Sequence, residues 1–569
     1  MTEIATAPGA EPLERPDARA PAISRGVALG VLAVILLVAL ALRLWNLDHG
    51  LPFAYNADED EHFVPHAVDM FRGSLDPGYY ENPPALTYLL YAVYAVTGVR
   101  EVSQEAFETA RVAVALVGTL VVVLAYWAGA RFYERRVGLV AAALMAVAFL
   151  PVFYSKQALN DVVTLAPISV ALVGALLAFE RGRWPYWALA GGAVGVATAT
   201  KYTAGAMLLC VLVAAALRVQ RTYSSPSAAR STGDRADSSR SAARGAELRR
   251  ALAGLAVAGV AFVALFLLVN PYALIELDET RRQIEGQSSQ ADAGKLGQDD
   301  VRGWIYYVGT LGWGFGWVPL AAAVGGAIVA LRRDWRRALL LISFPLFLYL
   351  FLGAQGRFFG RWLMPAYPML CVLCGYGVVA LADALARRPR HAGLAIAGLT
   401  ALVCAQGAIA SVRVDALLGR EDTRAQALRW VRSNVPEAAP LVVEPFVPGS
   451  WLAALDRPRW PVERPFQAYE KRLRVRHIDR YRERGYCWVV VGSTQKERGL
   501  KAGLRSSRNY YRALDAQSAR TVTFAPFRSG ADPVEFSYDF SFNYHPRAYE
   551  RPGPLVEIHR LRDCTPALG

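Results

Sequence analysis

The chain has 569 residues, 54% of them hydrophobic and 19% charged, with a formal net charge of +14. Soluble domains carry about a quarter charged residues; this composition, a mean hydropathy of +0.23 and only six cysteines exclude a soluble globule, a disordered chain and a disulfide-dense scaffold. Nothing resembles a nucleic-acid module, so no nucleic-acid partner is expected, and the arginines cluster at the ends of apolar runs, as in a polytopic membrane protein.

A helix crossing a bilayer core needs about 20 largely apolar residues. After an N-terminus over 1–25 that reads as disordered, such runs cover 26–45, 107–130, 137–154, 163–179, 185–200, 202–217, 251–269, 304–331, 338–354, 363–385 and 392–411, which predicts about eleven spans. The first run is too long and too late for a cleaved signal peptide. The two runs within 185–217 are short, as broken or tilted helices are. Arg131, Arg135 and Arg136 fall on the same side as Arg332, Arg333, Arg336 and Arg337 and as Arg387, Arg388 and Arg390; that side is cytoplasmic if the N-terminus is. The Arg/Ser-rich stretch from Arg218 to Arg250 belongs to it and reads as a disordered linker near anionic lipid. The loops 46–106, 155–162, around Lys201, 270–303 and 354–362, and everything after Ala410, are then external to a plasma (inner) membrane.

The first external loop opens with Asn56-Ala57-Asp58-Glu59-Asp60-Glu61-His62. Four consecutive acids at a membrane boundary are costly unless water, a cation or a substrate answers them. Phe63, Ala67, Met70 and Phe71 are spaced like an amphipathic helix on the membrane surface. The loop closes with Tyr79-Tyr80-Glu81-Asn82-Pro83-Pro84, and the apolar segment 85–99 is too short to cross, which predicts a juxtamembrane or re-entrant helix. A second acid, Asp161, follows Lys156 at the handover between two spans. Lys201 lies at another external turn, and Arg357 and Arg361 at a third, before Pro365. In a chain with six lysines, Lys156 and Lys201 at external helix ends oppose the positive-inside bias. Together these residues predict an external, membrane-level site with acids on one side and cations on the other. Metal readings are weaker. His62 and His66 stand at i, i+4 with Asp58 or Asp69 as a further ligand for zinc, and the acids also admit a divalent cation with oxygen ligands; no other cofactor is expected.

The region after Ala410 is long enough for its own core. Thr423–Val435 and Ser506–Gln517 have helical spacing, whereas 440–447, 487–492, 521–525 and 555–560 are β-rich. These segments predict a small external α/β domain over 412–569. Cys487 and Cys564, the only external cysteines, lie beside strand-like segments in a compartment that permits oxidation, so a disulfide between them is expected.

The ordered set Asp58-Glu59, Gly73, Glu81-Asn82-Pro83-Pro84, Lys156 to Asp161, Lys201, and Arg361 to Pro368 resembles the bacterial GT-C glycosyltransferases related to protein O-mannosyltransferases and the lipid A aminoarabinose transferase. The resemblance covers roughly 26–411 and implies a GT-C type transmembrane catalytic domain, with the α/β tail weakly similar to the tails of some members. The acid doublet is duplicated, so either Asp58-Glu59 or Asp60-Glu61 matches the family pair; Gly73 falls at the family-like distance from the first. His62 and Asn82 depart from residues common in relatives, which bears on the sugar more than on the reaction.

The implied activity is a membrane glycosyltransferase that inverts the anomeric carbon. Nucleotide sugars are absent outside the membrane, so the donor is a polyprenyl-phosphate sugar; the acceptor is a cell-envelope glycan, lipid or protein, and membrane lipids surround the site. A carboxylate must take the acceptor proton, a role for Asp58, with Glu59 and Asp161 orienting the acceptor or holding a cation. Lys201, Arg357 and Arg361 are expected to hold the donor phosphate, and Asp60, His62, Glu81, Asn82 and Lys156 to contact substrate. The alternative is a transporter or flippase of lipid-linked sugars. It requires charges along a path through the bilayer, whereas these cluster at external helix ends. No internal repeat of the kind found in many transporters is apparent either. A binding protein that works through its tail alone needs one anchor helix, not eleven.

Overall fold

The computed structural model describes residues 23–54, 56–223, 234–292, 294–298, 300–386, 389–444, 449–455, 462–463, 473–531, 534 and 545–567. Among them, nine helices are long and apolar enough to cross a membrane. The first half of the bundle holds α1 (Arg25–Leu44), α2 (Val64–Asp69), α3 (Ala85–Thr97), α4 (Gln104–Phe132), α5 (Arg135–Val147), α6 (Phe149–Tyr154), α7 (Asn160–Val163), α8 (Leu165–Arg181) and α9 (Trp184–Thr200). The second half holds α10 (Leu208–Tyr223), α11 (Asp234–Val269), α12 (Tyr272–Ile275), α13 (Leu277–Asp292), α14 (Gly303–Thr310), α15 (Trp317–Arg333), α16 (Trp335–Gly353), α17 (Tyr367–Leu385) and α18 (Pro389–Leu418).

Four expectations change. The run 137–154 is not one span but α5 and α6, broken at Ala148, because Pro151 has no N–H to continue the ladder. The carbonyls freed by the break are taken up from other helices: Arg43 donates to Met145 and Ala146, and the Ser411 hydroxyl to Val147. The run 185–200 is the 17-residue α9, shorter than a usual span. Its glycines substitute for length with closeness: a Cβ at Gly191 or Gly195 would meet the carbonyl oxygens of Ala258 or Phe262 on α11 at 2.0 and 2.4 Å. The linker expected over 218–250 is helical from Asp234 onward, and Arg218 binds Glu247 at 2.6 Å; residues 224–233 and the N-terminal 1–22 lie outside the described residues. Finally, the last span does not stop at 411, since α18 runs unbroken to Leu418 and carries Asp415 into an ion pair with Lys156 at 3.2 Å.

The tail begins with α19 (Thr423–Asn434), whose N-terminus is capped by Asp422. Its sheet comprises β1 (Leu441–Val443), β2 (Val462–Glu463), β3 (Trp488–Gly492), β4 (Ser518–Phe524) and β5 (Val556–Leu561) in the order β2-β1-β3-β5-β4. β1 pairs in parallel with β2 and β3, while β5 runs antiparallel to β3 and β4. The two-residue β2 has no pattern a sequence reader can detect. Cys487 and Cys564 flank the paired β3 and β5 and form a disulfide with 5.5 Å between their Cα atoms. One residue of the first loop, Phe53, is buried within the tail's core, so the tail is fastened to the segment that leads into the acidic run.

Candidate active site

The acidic run folds as a π-helical turn, Asp58–Phe63, continued by α2 and a 3₁₀ turn to Arg72. Gly73 ends it at φ +146°, a conformation open to glycine. π-turns are rare and concentrate at functional sites. The Asn56 side chain accepts from the Asp58 amide at 3.0 Å, and its carbonyl accepts from Glu59 and Asp60. This winding sends neighbouring acids in different directions.

Asp58 faces Arg361, with Nη2 2.8 Å from Oδ2. Arg361 also lies 3.6 Å from Asp161, which is ion-paired to Lys201. The four side chains form an alternating chain, Asp58–Arg361–Asp161–Lys201, gathered from four separate segments. Lys201 reaches it because the chain is extended between α9 and a 3₁₀ turn at 202–207; Arg361 is carried by a second 3₁₀ turn, Gly360–Ala366. Exposure separates the two acids: the Asp58 side chain is 30% exposed and Asp161 only 2%. Asp58 is the more accessible of the two.

Two groups were not singled out in the sequence. Lys295 lies over the Phe359 ring, which the Arg361 guanidinium also contacts. Burial, and then Arg357 and Arg498, push its ammonium down to about 8, with Asp58 opposing. Lys295 is one of only six lysines and lies in the loop 270–303, so the scrutiny given to Lys156 and Lys201 would have found it. Tyr79 is the other. Its ring stacks on His62 and His66 at centroid distances of 4.2 and 5.6 Å, its hydroxyl accepts from Asn82 at 2.8 Å, and burial followed by the nearby Asp58 raises its pKa. Asn82 is 3.4 Å from Asn160, which donates to the carbonyl of Thr200 beside Lys201. Gln283 of α13 accepts from the Tyr80 and Glu81 amides and fixes that corner.

Other expected site residues are placed elsewhere. Glu59 is fully buried against Arg111 at 2.7 and 3.0 Å and accepts from the Ala158 amide at 2.9 Å; the π-turn points it into the bundle, away from Asp58. Lys156 is equally buried, between the Trp45 carbonyl and Asp415, so it fastens α18 rather than facing a substrate. Asp60 lies near Arg424 of the tail, and burial together with Glu61 and Glu59 pushes it up to about 6. Arg424 donates to the carbonyl of Phe53 at 2.6 Å, so the tail grips the chain just ahead of the acids. His62 and His66 stack instead of converging on an ion, and among the described residues no group of three or more His, Cys, Asp or Glu side chains converges. Asp58 and Asp161 face Arg361 and Lys201 as charge partners.

The sequence model of the family described as dolichyl-phosphate-mannose-protein mannosyltransferase matches residues 81–229. No curated protein sequence matches the chain. Among solved structures, apo ArnT from Cupriavidus metallidurans superposes with a TM-score of 0.53 at 17% identity, over 88% of this chain and 96% of that one. The fold is that of the GT-C glycosyltransferases. ArnT bound to undecaprenyl phosphate matches over 95% of this chain and 99% of its own, at 15% identity and TM-score 0.52. The oligosaccharyltransferase of Archaeoglobus fulgidus matches with TM-score 0.52 at 15% identity, over 87% of this chain and 73% of that one. These GT-C likenesses span bundle and tail alike, whereas the family match ends before α11.

Proposed function

We propose that the chain is a membrane glycosyltransferase that moves a sugar from a polyprenyl-phosphate donor to a hydroxyl of a cell-envelope glycan, lipid or protein, with inversion. The observation that carries this is the partly exposed Asp58 carboxylate beside Arg361 and Lys295, with Arg357 next to Lys295, at one end of an apolar bundle. The solved GT-C structures with undecaprenyl phosphate and dolichol-phosphate support a lipid-phosphate donor, and no such likeness supports the flippase alternative.

In this reading the acceptor hydroxyl attacks the anomeric carbon as its proton passes to Asp58. The new carbon–oxygen bond forms while the bond to the phosphate oxygen breaks, and the electron pair leaves with the lipid phosphate. Arg361, Lys295 and Arg357 stabilise that growing charge. Lys201 is committed to Asp161, so its role is to hold Asp161, and through it Arg361, in place. Glu59 and Lys156 are supports for the fold of the site. The test is a panel of short-chain polyprenyl-phosphate hexoses, pentoses and aminopentoses given to the purified chain: a preferred donor releases polyprenyl phosphate and yields a product of opposite anomeric configuration. Movement of these lipids across a vesicle membrane with no release would overturn the proposal in favour of the flippase.

The site and the tail are placed on the external face of the plasma (inner) membrane, with the N-terminus cytoplasmic, because the arginine clusters alternate across the spans. In a background without other reactive cysteines, an impermeant reagent should label Ser529→Cys in intact cells and leave Ser231→Cys unlabelled; the reverse pattern inverts the topology.

Lys295 gives the donor affinity a pH dependence. An anion beside Lys295 stabilises the ammonium and raises its pKa above the value of about 8 in the free protein. Binding therefore takes up a proton once the pH exceeds that value. Donor affinity should be flat below pH 7 and fall by at most about tenfold per pH unit above 8. Lys295→Arg, which stays charged, should flatten the profile; an unchanged decline in that variant removes Lys295 from the phosphate site.

A further inference from the structure

The tail meets the bundle at a second, strongly basic place. Arg413 in the last turns of α18 and Arg420 just beyond its end join Arg528 and Arg547 of the tail around a cavity of about 240 Å³. Leu417 contributes an apolar wall, and Glu550 is the only carboxylate among its described lining. Arg413 donates to the carbonyls of His545 and Pro546 at 3.1 and 2.6 Å, and Arg420 to that of Glu550 at 2.8 Å. These bonds fix the direction of the guanidinium groups without neutralising them. Arg528 reaches the Glu550 carboxylate at 3.1 Å. Arg547 has no hydrogen-bond or ion-pair partner among the described residues and opposes Arg413 at Coulomb range. Four like charges held around one concavity repel one another, and an anion that enters it removes that repulsion.

The position of the cavity selects the anion. Leu394, Leu402, Ile409 and Val412 of α18 are exposed, forming an apolar band of the kind that faces lipid. The band ends at Val412, and Arg413 is the next residue. The cavity thus opens at the level where acyl chains give way to head groups, where arginine and anionic lipid attract each other. It is smaller than the roughly 300–1,000 Å³ of pockets that enclose a drug-sized ligand, so a phosphate-bearing head group fits and a whole lipid does not. On the opposite side of the helix, Asp415 is locked to Lys156, and its carbonyl accepts from Asn46, so the arginine face is presented by a fixed element.

We propose that this cavity binds the phosphate of an anionic lipid head group in the leaflet on the tail's side. The inference is independent of glycosyl transfer and is tested by binding alone. The full chain in a neutral detergent is titrated with dioctanoyl phosphatidylglycerol, dioctanoyl phosphatidylcholine and inorganic phosphate, with the thermal midpoint and native mass spectrometry as readouts. Phosphatidylglycerol should bind more tightly than the other two, and the Arg528→Gln, Arg547→Gln double variant should bind it at least about tenfold more weakly. Arg547→Gln alone removes an exposed side chain and should keep the ligand-free midpoint while weakening the lipid, which covers a double variant that fails to fold. Arg361→Ala should leave the binding intact. Undiminished binding in both arginine variants overturns the proposal. Loss in Arg361→Ala instead moves the lipid to the Asp58 site and overturns it equally. Inorganic phosphate that saturates at the same concentration as the lipid makes this a free-anion site and overturns the lipid assignment.

Discussion

Asp58→Asn should lower sugar transfer by about 10²–10⁴-fold, the range expected when a positioned general base is lost, while the fold is kept. The amide retains the shape and an oxygen for Arg361, which stands 2.8 Å away, but it takes up no proton. Donor binding should hold or tighten, because the substitution removes a negative charge beside the cations that face the phosphate. A fall in turnover without a fall in donor affinity separates this assignment from a merely structural one. Arg361→Ala makes the contrast. It removes a contact present in both ground and transition states, so it should weaken donor binding and turnover together. Asp60→Asn is the control for register. Asp60 lies near Arg424 of the tail, so its removal should cost much less than that of Asp58. Full activity in the Asp58→Asn, Asp60→Asn double variant would sink the assignment and return the acidic run to a solvated surface turn.

How far the sequence reaches into this arrangement depends on what each feature requires. Spans were legible because the bilayer imposes length and apolarity on every helix that crosses it, and the strand-rich pieces of the tail because each alternates or runs apolar by itself. The break at Ala148 was half legible: Pro151 announces it, but the donors that make it tolerable, Arg43 and Ser411, come from helices more than 100 residues away. The ordered acids and cations pointed to one site, and the structure brings Asp58, Asp161, Lys201 and Arg361 within ion-pair reach of one another in an alternating chain. What composition and order do not encode is the direction of each side chain within a π-turn. Adjacent letters, Asp58 and Glu59, read as a pair, yet one faces Arg361 and the other the bundle interior. Lys156 and Lys201 look alike in sequence, as cations beside helix ends, but only Lys201 reaches Asp161; Lys156 is spent on Asp415, a residue on the last span whose role no local pattern reveals.

The same divergence makes Glu59 and Arg111 the most sensitive structural pair of the site. Neither side chain is exposed, and their bonds knit three segments together. Arg111 of α4 holds both Glu59 oxygens and donates to the carbonyls of Leu47 and His49, while Glu59 also accepts from Ala158 ahead of Asp161. Removing one partner strands a charge where water does not reach. Arg111→Met should therefore destabilise the protein by about 3–5 kcal/mol, visible as a lower thermal midpoint in detergent. Glu59→Gln keeps an acceptor for Arg111 and Ala158 and should cost less. The double variant Glu59→Gln, Arg111→Met strands no charge and should recover part of the loss. Transfer per folded molecule in Glu59→Gln should fall far less than in Asp58→Asn, because Glu59 is buried against Arg111 and holds the turn. If Glu59→Gln instead abolishes transfer at an unchanged midpoint, Glu59 belongs to the chemistry, and the division of labour between the two neighbouring acids is wrong.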